Sequence, residues 1–307
     1  MKKLNIKVNI KELIAKIKEK PSKFIYSALM VIFAAVFLYS TGFLVVYYIN
    51  SNKQAKQNDK LANIVEQIQQ EMNSGNSGNN IINSDGTLNV DPDNPLINNN
   101  NVYMEVTNPE TGETLEVLRE YSTVYLMNPD MVGWIKIPGT KVNYPVLQNA
   151  NDGNFYLKRD FYKQSARHGS IFAHEMADFL APSDNITLYG HNMADDTMFA
   201  GLHAYEDPAF YNEHPYILFD TLTSHQIYKI IAVFYTTDLP TSFPYHDFVN
   251  GDEYSFDQFI AECKALSMYD TGDTAVYGNK LLTLSTCDNN VADPHGRFVV
   301  VAKKVSL

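Results

Sequence analysis

The stretch 281-LLTLSTCDNN-290 is a run of apolar and β-branched residues that stops at a cysteine, Cys287. A short run of this kind, bounded by turn formers, is typical of a buried strand. Cys287 is one of two cysteines among 307 residues. On burial statistics alone, such a cysteine is more often a packed hydrophobe or half of a disulfide than a nucleophile. The surrounding sequence has to decide between these roles.

From about residue 102 the chain consists mainly of strand-like runs separated by turn formers such as PGT, NDG, NGD and TGD. We predict eight strands, at 133–137, 142–147, 169–174, 185–191, 216–220, 225–236, 280–287 and 297–305. An interior helix is predicted at 254–268, and the apolar face of 113–128 predicts another before the first strand. Many short strands with few helices indicate an antiparallel barrel or sandwich.

The N-terminal part predicts a membrane anchor. Residues 24–49 contain no charged residue and follow a basic segment, 1–23, with eight Lys. At about 1.5 Å per residue, this helix reaches about 39 Å, enough to cross a hydrocarbon core of about 30 Å. A cleaved signal peptide is the alternative, but its apolar core is usually about 7–15 residues long. We therefore predict a single-pass protein of the cell membrane, with a cytoplasmic N-terminus and the remainder outside.

Residues 50–101 are expected to join the anchor to a globular domain, 102–307. The spacing of apolar residues in 57–72 predicts an amphipathic stalk helix, either without a partner or dimerising. The Asn-, Gly- and Ser-rich segment 73–101 predicts a flexible tether. Residues 1–60 carry 11 Lys and three acids, whereas the remainder carries 13 basic and 32 acidic residues. So acidic a remainder excludes general attraction for nucleic acid.

Three reactive side chains stand at predicted strand ends. His191 ends one strand, Cys287 ends another, and Arg297 begins the last. A thiol attacks as its thiolate, and a neighbouring imidazolium or guanidinium favours that form. A guanidinium can also hold a carbonyl oxygen as it gains charge during acyl transfer. We see no clustered spacing of ligands that indicates a metal site, and we expect no cofactor.

These residues carry a resemblance to a known family. The TL-x-TC pattern at 283–287, Arg297 ten residues later and the upstream LYGHNM (188–193) together resemble a sortase, a membrane-anchored cysteine transpeptidase of Gram-positive surfaces. The segments 128–148 and 191–199, with the helix before the Cys287 strand, resemble the class B branch. The resemblance implies an eight-stranded sortase-type β-barrel, with N-terminal helices and one helix inserted before the catalytic strand.

The resemblance also implies the roles of the site residues. Cys287 would be the nucleophile, His191 the general acid/base and Arg297 the guanidinium for the substrate or transition state, with Leu284, Ser285 and Thr286 expected to bind substrate. The enzyme would cleave a C-terminal sorting signal (NPxTG, SPxTG or LPxTG-like) between Thr and Gly. The expected partners are surface proteins with such signals and a peptidoglycan-precursor amine, or a pilin lysine. Because a disulfide would inactivate Cys287, Cys263 is expected to be a free, buried thiol.

Two alternative functions remain open, and two features of the sequence are unusual for the family. The chain could be a non-catalytic, membrane-tethered β-domain, or a hydrolytic cysteine peptidase in which water resolves the acyl-enzyme. Class B members often have an acidic residue where this chain has His174, to which we assign no role. Residues 108–112, NPETG, have the form of a sorting pentapeptide, but Asn-Pro and Thr-Gly are also ordinary turn residues.

Overall fold

The computed structural model describes residues 21–73, 102–288 and 295–305. Most of the predicted basic tail, nearly all of the predicted tether and the Asn-Asn pair after Asp288 lie outside the described residues. The chain divides into two compact units, Met1–Lys53 and Gln54–Leu307.

The described elements comprise ten strands and four α-helices. The strands are β1 (Tyr103–Thr107), β2 (Thr114–Leu118), β3 (Met131–Lys136), β4 (Asn143–Leu147), β5 (Ile171–Ala173), β6 (Asn185–Tyr189), β7 (Tyr216–Thr221), β8 (Ile227–Thr237), β9 (Leu281–Cys287) and β10 (Gly296–Lys304). The helices are α1 (Pro21–Asn73), α2 (Arg119–Met127), α3 (Pro208–Glu213) and α4 (Glu253–Leu266).

The first compact unit contains, in its described part, the beginning of α1. The apolar side chains between Ile25 and Ile49 are mostly exposed. By length and composition, a stretch of this helix within Ile25–Met72 is a candidate membrane span. The charge-free segment predicted as the anchor, 24–49, is helical throughout.

Eight strands close into a barrel in the order β10-β8-β7-β3-β4-β5-β6-β9. All eight strands predicted from the sequence are present, and the eight-stranded barrel is confirmed. The expectation of a purely antiparallel sheet is wrong, because β4 pairs with β5 and β6 pairs with β9 in parallel. Both parallel pairs join strands connected by long segments, which allow the chain to return to the same end of the barrel before it re-enters the sheet.

Alternation along β9 and β10 separates the barrel interior from a second core on its outer face. Leu282, Leu284 and Val300 belong to the interior cluster. Their neighbours Leu281 and Val299 pack instead with the apolar side of α4, formed by Phe256, Phe259, Ile260 and Cys263. Successive residues of a strand point to opposite faces, so these two strands are covered on both sides.

Helix α4 confirms the helix predicted before the Cys287 strand. Its buried residues recur at intervals of three and four, as an amphipathic helix requires. The carboxylate of Asp252 caps its N-terminus by accepting from the Ser255 N–H at 2.9 Å. Cys263 is fully buried on this helix and, like Cys287, is not in a disulfide.

The helix predicted over 113–128 is correct only in its second half. Residues 114–118 form β2, which pairs with β1, and α2 begins at Arg119. The NPETG segment is the turn of this hairpin. The Asn108 side chain accepts from the N–H groups of Glu110 and Thr111, and Gly112 adopts a positive φ of 76°. Cross-strand pairing with β1 therefore outweighs the helical spacing of residues 113–118.

Within the second compact unit, the last turns of α1 pack against α2 and strand β3. Leu61 and Val65 are buried in a third cluster with Tyr121 and Trp134, whose rings stack 6.0 Å apart. The Gln54 side-chain amide also donates to the Gly169 carbonyl at 2.6 Å. The segment predicted as a stalk is helical, and part of its apolar face packs against residues of the globular domain.

Candidate active site

The register of β9 and β10 brings Cys287 beside Arg297. The two residues are directly paired across the antiparallel strands. Directly opposite residues share a face of the sheet, with Cβ atoms about 4.5–5.5 Å apart. The register of this strand pair therefore sets the two side chains beside each other at the rim of the barrel where β9 ends.

His191 reaches the same rim from the other side of β9. Strand β6 runs parallel to β9 and pairs Tyr189 with Ser285. The Gly190 N–H extends this pairing by donating to the Ser285 carbonyl at 3.2 Å. His191 follows Tyr189 by two residues, as Cys287 follows Ser285, so the imidazole and the thiol stand at the same level. The three predicted catalytic residues are therefore brought together.

Gly190 allows the backbone to pass closely under this rim. A Cβ at Gly190 would lie 2.5 Å from Cδ1 of Ile171 and 2.8 Å from the Phe199 ring. Contacts that short do not occur in folded proteins, so a larger residue here would have to displace the Ile171 and Phe199 side chains or the backbone that carries His191.

His191, Cys287 and Arg297 line one cleft of about 380 Å³. The cleft adjoins two of the clusters described above: Leu157 and Phe172 belong to the cluster of Tyr121 and Trp134, and Tyr245 belongs to the cluster packed against α4. Its other lining residues include Asn154, Leu157, His174, Glu175, Tyr189, Asp238, Tyr245 and His246. A cleft in which several polar groups converge beside apolar and aromatic side chains is a general form of ligand-binding site.

Burial lowers the pKa of His191 below the usual range for histidine. The Leu157 carbonyl opposes this effect, while the positive charges of Lys158 and Arg167 add to it. His191 Nε2 lies 2.7 Å from the Leu157 oxygen, and a carbonyl only accepts hydrogen bonds. Nε2 therefore carries a proton, and Nδ1 is left to exchange a proton with a bound molecule.

The Arg297 guanidinium is held by an acidic partner. One of its terminal nitrogens pairs with Asp238, and the other donates to the Gly296 carbonyl at 2.8 Å. Asp238 also contacts Nδ1 of His295 at 2.7 Å. Because both Asp238 and Arg297 line the cleft, the ion pair directs a positive group to the cysteine without leaving it as an isolated charge.

The comparisons with known proteins identify the family of the chain. A family model for the sortase domain matches residues 135–305, which include all three residues. The chain belongs to the sortase family. It is 34% identical to sortase B of Staphylococcus aureus over 188 residues, 61% of this chain and 75% of that protein. It is 36% identical to sortase B of Listeria monocytogenes over 199 residues, 64% of this chain and 76% of that protein.

Similarity to a solved structure covers most of the length of this sortase. The S. aureus sortase B–substrate complex has a TM-score of 0.64 and 25% identity, and it covers 84% of this chain and 99% of that one. This sortase is accordingly class B-like, and its activity is that of a cysteine transpeptidase. The alternative of a non-catalytic β-domain is thereby removed.

Of the three residues expected to bind substrate in this sortase, two line the cleft and one does not. Ser285 lines the cleft, and its hydroxyl bonds to that of Tyr245 at 2.7 Å. Thr286 also contributes to the lining, although its buried Oγ1 has no hydrogen-bond partner among the residues that the structure describes. Leu284 is fully buried in the barrel interior and is not brought to the cleft, because alternation turns it away from the face of Ser285 and Cys287.

Several residues of the cleft were not identified from the sequence. Tyr189 could have been, since it precedes His191 by two residues and so shares its face. Asp238, Tyr245 and His246 lie in the segment between β8 and α4 and carry no local signal. His174, the departure from the class B pattern, lines the cleft, and its Nδ1 accepts from the Met176 N–H at 3.2 Å.

Proposed function

We propose that this sortase cleaves a C-terminal sorting signal of the NPxTG, SPxTG or LPxTG type between Thr and Gly, with Cys287 as the nucleophile. The observation that carries the proposal is the convergence of Cys287, His191 and Arg297 on one cleft. The substrate complex of the S. aureus relative supports peptide binding by this class of enzyme.

Each of the three residues has a proposed role in the first half of the reaction. The Cys287 thiolate attacks the threonine carbonyl carbon, and the carbonyl oxygen takes up the negative charge. The Arg297 guanidinium stabilises that oxygen. The C–N bond to glycine then breaks as His191 Nδ1 donates its proton to the departing amine, which leaves a thioester on Cys287.

The second half reverses these transfers. An amine attacks the thioester carbonyl carbon, His191 Nδ1 accepts the proton of that amine, and Cys287 leaves as a thiolate. The new amide joins the surface protein to the amine. The lowered pKa of His191 means that only a small fraction of this imidazole is protonated at neutral pH, and the proposed mechanism proceeds through that fraction.

We further propose that the enzyme is anchored in the cell membrane through 24–49, with its N-terminus in the cytoplasm and the barrel outside. The support is the long apolar helix and the eight lysines that precede it. The acceptor amine then belongs to a peptidoglycan precursor, in line with the likeness to the two sortase B enzymes; a pilin lysine is the alternative acceptor.

Peptide turnover by the full chain in detergent tests the proposal. NPxTG, SPxTG and LPxTG peptides are incubated with and without an amine acceptor, and the products are identified by mass spectrometry. We expect an amine-dependent ligated product, no product from Cys287→Ala, and losses of about 10²-fold or more in Arg297→Ala and His191→Ala. Cys263→Ala, changed in the core away from the cleft, is the control and should remain active.

Cleavage without a ligated product would instead identify a hydrolytic peptidase. Full activity in His191→Ala or Arg297→Ala would remove that residue from the proposed mechanism. Ligation to a lysine-bearing peptide in preference to a wall-type amine would favour pilin polymerisation.

A further inference from the structure

A second group of polar side chains lies behind the cysteine, outside the cleft. Asn192, the residue after His191, places Nδ2 3.0 Å from the backbone carbonyl oxygen of Cys287. The same nitrogen lies 2.8 Å from Nε2 of His203. Nδ1 of His203 is 2.6 Å from Oε1 of Glu206, which also accepts from the Tyr235 hydroxyl at 2.6 Å.

The directions of the hydrogen bonds in this group of side chains follow from one acceptor, the backbone carbonyl of Cys287. The Cys287 carbonyl can only accept, so the Asn192 atom beside it is the amide nitrogen, which has two protons to donate. The second proton points to His203 Nε2, which must then be the unprotonated, accepting nitrogen. The proton of the neutral ring therefore resides on Nδ1 and is donated to Glu206.

The His203 ring is held in place independently of these bonds. It stacks on Phe298 with centroids 4.6 Å apart and planes 21° apart, and Phe298 is opposite Thr286 on β9. Its Nε2 also lies 3.3 Å from the Cys287 carbonyl oxygen. A protonated Nε2 would donate to that oxygen but would oppose the N–H of Asn192, so the accepting state is the one that satisfies every group.

We propose that Asn192, held by His203 and Glu206, is a positioning residue that fixes the His191 segment against the Cys287 backbone. Pairing between β6 and β9 ends at Ser285, and the Asn192 bond continues the connection to the nucleophile itself. Neither Asn192 nor His203 is among the described residues that line the cleft. Their effect therefore falls on catalysis and leaves peptide binding unchanged.

Kinetics of matched variants test this inference, which rests on the proposed transpeptidation. Asn192→Asp removes the donor with little change of shape, and His203→Phe keeps the stack on Phe298 but removes both nitrogens. We expect kcat to fall about tenfold or more in each, with KM unchanged. His214→Phe is the matched control, since His214 also contacts a phenylalanine ring but lies outside this group, and it should keep wild-type kcat.

Glu206 supplies a pair of variants that should fold whatever happens to the others, because its side chain is 45% exposed. Glu206→Gln keeps an oxygen that accepts from both His203 and Tyr235, so kcat should stay within about twofold of wild type. Glu206→Ala removes that acceptor and should lower kcat by about three- to tenfold. Equal kcat in the two variants would overturn the proposal.

The tautomer of His203 supplies a readout that does not depend on turnover. Two-dimensional ¹⁵N imidazole spectra, with His203→Phe used for assignment, should show a protonated Nδ1 and an unprotonated Nε2. A protonated Nε2, or wild-type kcat in His203→Phe, would overturn the inference. A protonated Nδ1 in a wild-type enzyme that turns over no peptide would support the hydrogen-bond chain and refute the proposed function instead.

Discussion

Replacing His225 with alanine should lower the unfolding free energy by more than the loss of a surface ion pair would. His225 lies between two carboxylates, with Nε2 3.1 Å from Glu120 and Nδ1 2.8 Å from Asp220. The Glu120 side chain is only 2% exposed, and Asp220 also accepts from the Tyr121 hydroxyl at 2.6 Å. These residues join α2 to the barrel, so the loss of His225 should weaken the contact between α2 and β7.

The expected magnitude follows from the pKa of His225. Burial alone would lower this pKa, but Asp220 and Glu120 together raise it to about 10. A tenfold change in proton affinity corresponds to about 1.4 kcal/mol, so the rise from an ordinary value near 6.5 amounts to about 5 kcal/mol. Removal of one partner from a buried ion pair costs about 3–5 kcal/mol, which agrees.

The pH dependence has a definite sign. A folded-state pKa above the unfolded one gives stability that is fully present below about pH 6.5 and is lost as the pH rises through about 10. The difference in unfolding free energy between wild type and His225→Ala should therefore shrink by about 3 kcal/mol between pH 6 and pH 9.

Urea denaturation followed by circular dichroism at both pH values measures this difference. His246→Ala is the control, because His246 and Asp247 form an exposed pair worth at most about 1 kcal/mol. The double variant His225→Ala/Glu120→Gln should recover part of the loss, since Glu120, the more deeply buried of the two carboxylates, no longer leaves an unpaired charge. A cost below about 1 kcal/mol at pH 6, or one that grows with pH, would refute the reasoning.

Three further predictions concern the site and its support. The acid limb of the kcat/KM profile should lie below pH 6.5, because burial lowers the pKa of His191 and activity is lost when the His191–Cys287 pair, which holds one proton in the reacting enzyme, takes up a second proton at that lowered pKa; a limb above 7 would contradict this. Iodoacetamide should label Cys287 and spare native Cys263, whose thiol has its pKa raised by burial, as peptide mapping would detect; equal labelling would show that α4 opens readily. Leu61→Ala should reduce the unfolding free energy by about 2–5 kcal/mol in urea titrations, and a negligible loss would show that this part of α1 does not pack on the barrel.

The strands and the three reactive residues could be predicted because their signals are local. Each strand is a short apolar run between turn formers, and His191, Cys287 and Arg297 stand at the ends of such runs. Parallel pairing was missed because nothing within β6 or β9 specifies which neighbour each strand takes. Residues 113–118 show helical spacing, yet pairing with β1 makes them a strand.

Other parts of the site depend on contacts between distant segments. Asp238 meets Arg297, and Asn192 meets Cys287, across 59 and 95 residues of sequence. No pattern within either segment indicates such a meeting. Leu284 was expected at the cleft because it belongs to the sequence motif, but the alternation of β9 turns it into the barrel interior.

The central claim is that Cys287 forms a thioester with the threonine of a sorting signal and releases it to an amine. Intact-mass spectrometry of the full chain, quenched in acid after mixing with an NPxTG, SPxTG or LPxTG peptide, tests this most directly. We predict an adduct that ends at Thr, maps to Cys287, and disappears when an amine is added, with ligated product in its place. The absence of an adduct with every peptide, or an adduct on another residue, would contradict the account.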